Sequence, residues 1–245
     1  MHPDVTLTDK VLHIVFNRAE KKNCFDRAAW LALRDALQRA RTDDTVSVVL
    51  LSGAGKDFSA GVDLNDFAGD PSEKPPFEQM MDALCALDKP LLAAATGVAV
   101  GFGATALFHC DVVYVGQSLR LRLPFVSLGL VPEAASSYLL QAMIGTRRAA
   151  ELFYTAEWVD AARALETGIA TRVYPDDELT AAALAKAREM AQWPMRSLRA
   201  TKRCLKVAHA AAIAAARRAE MDGMKQQAGS PENVEAIMAF LQRRG

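Results

Sequence analysis

The chain lacks most of the features that would announce a metal site, a disulfide framework or a nucleic-acid partner. Its four cysteines, Cys24, Cys85, Cys110 and Cys204, are scattered without CxxC spacing, so neither a zinc site nor a redox pair is indicated. The 29 basic and 29 acidic residues cancel. No net field would recruit nucleic acid or an anionic membrane, and any anionic ligand must be held locally. No apolar run approaches the ~20 residues of a membrane span, and Met1-His2-Pro3-Asp4 lacks the basic-then-apolar pattern of a leader. Arg243-Arg244-Gly245 is not a peroxisomal address. A cytoplasmic protein is expected. Nucleophilic hydrolysis is unsupported as well: no serine stands in G-x-S-x-G, and His2, His13, His109 and His209 are too dispersed to nominate a partner base. His109, beside Cys110 after an apolar segment, reads as a packed structural histidine.

What is present is an ordinary globular composition, 51% hydrophobic and 24% charged over 245 residues, enough for one large domain or a domain with a helical appendage. Two short strands, Val5 to Thr8 and Val11 to Asn17, meet at Asp9-Lys10. Asp26 is a plausible N-cap for a helix reaching Arg41, with Trp30, Leu33 and Leu37 on one face. Strands follow at Val46 to Leu51, Leu91 to Thr96, Val112 to Val115, Leu119 to Leu123 and Ala170 to Tyr174. Asp70 to Pro76 reads as a mobile loop before a helix from Phe77 to Leu87. Beyond Pro132 helices dominate, near Glu133 to Met143, Arg147 to Phe153 and Ala161 to Thr167 and then to the end. Ser230-Pro231 is a strong helix start. The alanine-rich tract Ala208 to Ala216 reads first as a close helix-packing face, and with Met221 and Met224 it would equally suit a second subunit.

Two glycine-bearing segments, Phe58 to Leu64 and Gly97 to Gly103, each follow a buried strand and each could aim a backbone N–H into one cavity. Two converging N–H groups are what an oxyanion requires, because they present fixed dipoles that need no reorganisation. Gly101-Phe102-Gly103-Ala104-Thr105-Ala106 also fits G-x-G-x-x-A, but Val112 to Phe125 contains no acidic residue to hold a ribose, so a dinucleotide site is disfavoured. A helix opening at Phe102 to Ala104 still offers free N–H groups to negative charge. Glu133 is the one charged residue from Leu123 to Ile144. It reads either as a first-turn helix glutamate after Pro132, or as a carboxyl in an apolar pocket whose pKa rises into a range useful for proton transfer.

These residues resemble the crotonase, or enoyl-CoA hydratase/isomerase, superfamily. The resemblance runs from Asn17-Arg18 through Phe58 to Leu64, Lys89-Pro90 and Gly97 to Gly103, to Ile144-Gly145-Thr146-Arg147-Arg148-Ala149 and Val173 to Leu179. It implies an α/β fold, a spiral of β-β-α repeats over residues 1–193 with a helical oligomerisation region over residues 194–245. The assembly implied is a trimer or a dimer of trimers. The ligand implied is an acyl-CoA thioester, with coenzyme A part of the substrate and no separate cofactor or metal. Its carbonyl oxygen would sit between the N–H groups of Val62 and Phe102, and Ala60, Gly61, Val62, Asp63 and Leu64 would flank the CoA. Phe102 would narrow the space at the thioester. Lys21 and Lys22 are candidates for the CoA phosphates, and the tail pocket would be built from the region Phe67 to Leu87.

Departures from the family pattern bear on the reaction. The two glutamates with which hydratases of this family hold water correspond to Thr105 and Phe125, and Phe125 also replaces the glutamate of mitochondrial-type isomerases. Glu133 falls at the position of the catalytic acid in peroxisomal-type Δ3,Δ2-enoyl-CoA isomerases, where dehalogenase relatives carry a nucleophilic aspartate. The resemblance therefore implies a 3-enoyl-CoA to 2-enoyl-CoA shift with Glu133 as sole acid/base. Hydration, thioester hydrolysis or dehalogenation, or acyl-CoA binding without chemistry, are the alternatives.

Overall fold

The computed structural model describes residues 3–63 and 74–242. Leu64 and most of the expected Asp70 to Pro76 loop lie outside the described residues. The chain opens with β1 (Asp4–Thr8) and β2 (Val11–Phe16), paired antiparallel across Asp9 and Lys10. Helix α1 (Arg27–Thr42) starts where its cap directs: the Asp26 carboxylate accepts the Ala29 N–H at 2.9 Å. Trp30, Leu33 and Leu37 are its buried face.

Next come β3 (Val48–Gly53), α2 (Pro76–Ala86), β4 (Leu91–Ala95), β5 (Val98–Val100), α3 (Phe102–Thr105), β6 (Val112–Gly116) and β7 (Arg120–Arg122). The order continues with α4 (Ser136–Ile144), α5 (Thr146–Thr155), β8 (Trp158–Asp160), α6 (Ala161–Thr167), β9 (Arg172–Tyr174), α7 (Asp176–Ala191), α8 (Met195–Gln227) and α9 (Pro231–Gln242).

The strands fall into two sheets. The larger runs β1-β2-β3-β4-β6-β9, parallel from β2 onward, and the smaller runs β5-β7-β8. Ser59 extends the smaller sheet by a parallel bridge to Ala99. Successive passes thus leave one strand in the larger sheet and then one in the smaller, β3 then Ser59, β4 then β5, β6 then β7. This is a spiral of β-β-α character. Parallel strands need cover on both faces. Val49, Leu51, Ala93, Ala95, Val113 and Val115 enter the main core beneath α1 and α2. Val48, Leu50, Leu92, Ala94 and Tyr114 point the other way, onto Leu179, Ala183, Ala187 and Ala191 of α7.

Several elements differ from expectation. Strands β5 and β8, three residues each, were hidden, the first between Gly97 and Gly101. Helix α4 begins at Ser136 instead of Glu133, because Ala134 and Ala135 take left-handed φ of 59° and 58°. Glu133 is therefore not a first-turn helix glutamate. The apolar segment after Gly101 is a single turn, α3, followed by a 3-10 turn over Ala106–His109. The alanine tract of α8 is not a packing seam within this chain, since Ala208, Ala210, Ala211, Ala214 and Ala215 are exposed and only Ile213 and Ala216 meet the core. Polar contacts attach α8 to the body: Arg199 and Arg203 to Asp88, Lys202 to Asp111, and Arg217 to Glu78 and Asp82.

Candidate active site

The two glycine segments lie against each other. Ser59 N–H donates to Val98 O at 3.0 Å and Val100 N–H returns to Ser59 O at 2.9 Å. A Cβ on Gly103 would stand 2.1 Å from Ser59 O, and one on Gly61 would stand 2.6 Å from Val100 O. Only glycine permits this approach. Gly101, at φ 56° and ψ −122°, turns the chain from β5 into α3, a backbone region that favours glycine. On the other side, Ala60 N–H donates to Lys22 O, Phe25 N–H to Gly61 O and Asp63 N–H to Phe25 O, at 2.7 to 2.8 Å. Ala60 to Asp63 is thus clasped between residues 22–25 and β5. The amides of Val62 and Phe102 donate no hydrogen bond among the described residues. For Phe102 the reason is general, since the first N–H groups of a helix have no intrahelical acceptor.

The ring of Phe102 is buried at 1% exposure. It packs edge-on against Phe25, Trp30 and Phe77 at centroid distances of 5.2, 4.7 and 5.9 Å. It therefore braces the turn from within the aromatic core. Asp63 is buried, with its carboxylate 2.8 Å from Arg18. Lys21 and Lys22 are exposed beside the segment.

Helix α2 carries Phe77, packed on the Phe102 ring, and the neighbouring Glu78, whose charge acts on Glu133. Glu133 is half-buried, and its carboxyl makes no hydrogen bond or ion pair among the described residues. Desolvation, reinforced by the nearby charges of Glu220 and Glu78, pushes it up to about 8. The two acids beside it are engaged elsewhere: Glu78 is 2.5 Å from Arg217, and Glu220 accepts the N–H groups of Ala135 and Ser137. Thr105 and Phe125 are both buried, with the Thr105 hydroxyl aimed at Phe102 O and Phe125 beside Phe153.

Comparison with known proteins is decisive at the level of family. Residues 6–245 match the family described as enoyl-CoA hydratase/isomerase. The chain belongs to the enoyl-CoA hydratase/isomerase family. It is 32% identical to the 2,3-dehydroadipyl-CoA hydratase of Escherichia coli K12 over 98% of this chain and 95% of that protein. It is 30% identical to enoyl-CoA delta isomerase 2 of Rattus norvegicus over 98% of this chain, which spans 63% of the rat protein. The crystal structure of an enoyl-CoA hydratase/isomerase from Pseudoalteromonas atlantica T6c superimposes with a TM-score of 0.95 at 37% identity, covering 99% and 98% of the two chains. The crotonase-like fold is thereby shown.

Within that family fold, the structure brings together Ala60, Gly61, Val62, Asp63 and Phe102, while Glu133 lies on a separate turn before α4. Sequence reading missed Glu220 and Glu78. Each lies on a helix far along the chain from Glu133, and nothing local distinguishes either from a solvated glutamate. His109 is packed as expected, but its Nε2 lies 2.7 Å from Ala134 O, so it touches the turn that carries Glu133.

Proposed function

We propose that this protein converts 3-enoyl-CoA to 2-enoyl-CoA, with Glu133 as the single acid/base and the N–H groups of Val62 and Phe102 as the oxyanion hole. The observation that carries the reading is the Glu133 carboxyl: unpartnered among the described residues and pushed up to about 8 by desolvation, while Thr105 and Phe125 stand where the family's hydratases carry the acids that activate water. Ionised Glu133 takes a proton from C2 of the acyl chain. The electron pair moves into the thioester, whose oxygen gains negative charge against the two amides. The double bond shifts to C2–C3 as the same carboxyl returns the proton at C4. No water is consumed, so one carboxylate is enough. The backbone of Ala60 to Asp63, with Leu64 beyond it, is proposed to flank the CoA moiety, and no cofactor is needed besides the CoA of the substrate.

One oxyanion-hole donor is typically worth ~3 kcal/mol and a general base ~10²- to 10⁴-fold in rate. Glu133→Gln should lower kcat for 3-enoyl-CoA isomerisation by about 10²-fold or more. Its affinity for a saturated acyl-CoA should stay near that of the wild type. Wild-type turnover by Glu133→Gln would refute the assignment. Tight acyl-CoA binding without turnover in the wild type would identify a binding protein instead.

A further inference from the structure

The turn after Glu133 is held by groups that lie outside the proposed reaction. Ala134 and Ala135 both take left-handed backbone angles, which alanine adopts rarely and keeps only under outside support. Without that support the local sequence favours carrying α4 back to Glu133, as Pro132-Glu133 suggests. Two side chains supply it. Glu220 of α8, only 7% exposed, accepts the Ala135 N–H on Oε2 at 2.7 Å and the Ser137 N–H on Oε1 at 2.9 Å. His109, at the end of the 3-10 turn that follows α3, meets the Ala134 carbonyl at 2.7 Å from the other side. Because a carbonyl only accepts, Nε2 must carry the hydrogen, in keeping with burial lowering the imidazole to about 4. The third amide of the turn, Ser136 N–H, closes onto Glu133 O at 3.0 Å.

We propose that Glu220 is a positioning residue for Glu133: with His109 it clamps the Ala134-Ala135 turn and so keeps the Glu133 carboxyl out of the first turn of α4. The proposal rests on Glu133 being the acid/base. The clamp also has an electrostatic side. Glu133 faces Glu220 from α8 and Glu78 from α2, with Arg217 one turn before Glu220 paired to Glu78 and Asp82, and the neutral His109 behind the turn. The Glu220 charge therefore raises the proton affinity of Glu133.

Glu220→Gln tests both sides, because an amide offers one acceptor oxygen to two N–H donors and carries no charge. On 3-enoyl-CoA, kcat should fall ~10- to 10²-fold, as for a small misplacement of a reacting group. KM and the affinity for a saturated acyl-CoA should stay within ~2-fold of wild type, since the loss falls on positioning and not on uniform binding. The limb of the pH profile that rises with pH should move to lower pH. Glu220→Asp keeps the charge but shortens the reach, so it should lose kcat while leaving that limb near its wild-type position. This second variant decides the matter if Glu220→Gln does not fold. Wild-type kcat with an unmoved limb in Glu220→Gln, or wild-type kcat in a folded Glu220→Asp, overturns the clamp. Glu133→Gln assayed in parallel separates the two ideas. If it is inactive while Glu220→Gln behaves as wild type, only the positioning role falls, and if it is active, the Glu133 reading falls with it.

Discussion

A carboxyl that holds its proton to about pH 8 is about one-tenth ionised at pH 7, so a reaction that needs the anion gains from alkalinity. For isomerisation through Glu133, kcat/KM should rise with pH through the region of 8 as the base ionises in the free enzyme. A profile flat from pH 6 to about 9 would argue that another group is the base. The same shift bears on stability. Between the ordinary 4.5 and about 8 the folded state binds the Glu133 proton more tightly than the unfolded state, so stability falls as pH rises across that window. Glu133→Gln removes this cost, and thermal melts at pH 8.5 or so should show the variant more stable than the wild type by on the order of 1 kcal/mol or more. Equal melting curves there would mean that the carboxyl is better solvated than its surroundings indicate. Loss of activity with a gain in stability is the pattern expected of a group kept for function.

Among the elements, the juxtaposed glycine turns carry the most exacting geometry. Gly103→Ala would drive a Cβ to 2.1 Å from Ser59 O, a backbone atom that cannot move without parting Ser59 from β5. A loss of ~1 to 3 kcal/mol in unfolding free energy is expected, together with reduced turnover through a displaced Phe102 amide. A variant with wild-type stability and kcat would show that the two turns are not rigidly coupled. Such turns were legible because the constraint is local: glycine spacing after a buried strand leaves few readings, and the Asp26 and Ser230 caps announced their helices in the same way. The start of α4 was not legible. Its position depends on a carboxylate 85 residues further along, and no pattern around Pro132 records that bond. The three-residue strands β5 and β8 failed for a related reason, since their pairing with β7 is set by tertiary contacts and not by any periodicity of their own. The ring direction of Phe102 was equally hidden, being set by Trp30 and Phe77 on two other helices.

At the scale of the molecule, α8 is a 33-residue helix that buries only Lys202 and Glu220 within its own chain. It leaves Leu205 and Val207 exposed at 62% and 74%, and Met238 of α9 at 54%. We propose that this surface assembles a homotrimer or a dimer of trimers, which sedimentation should report as three or six times the 26.5 kDa chain. A single-chain mass in dilute solution would contradict it. If α8 is built into such an assembly, the Glu220 contact ties the turn carrying Glu133 to the oligomer scaffold. The family was legible in the order of motifs along nearly the whole chain, whereas the reaction rests on a few positions, chiefly Glu133, Thr105 and Phe125. The most direct measurement is a side-by-side assay of the wild-type enzyme on 3-enoyl-CoA and 2-enoyl-CoA at matched concentrations, following double-bond migration in one and water addition in the other. Isomerisation is predicted to exceed hydration by at least ~10²-fold, the contribution of a well-placed general base that the water-activating positions lack. Hydration as fast as isomerisation would contradict the central claim.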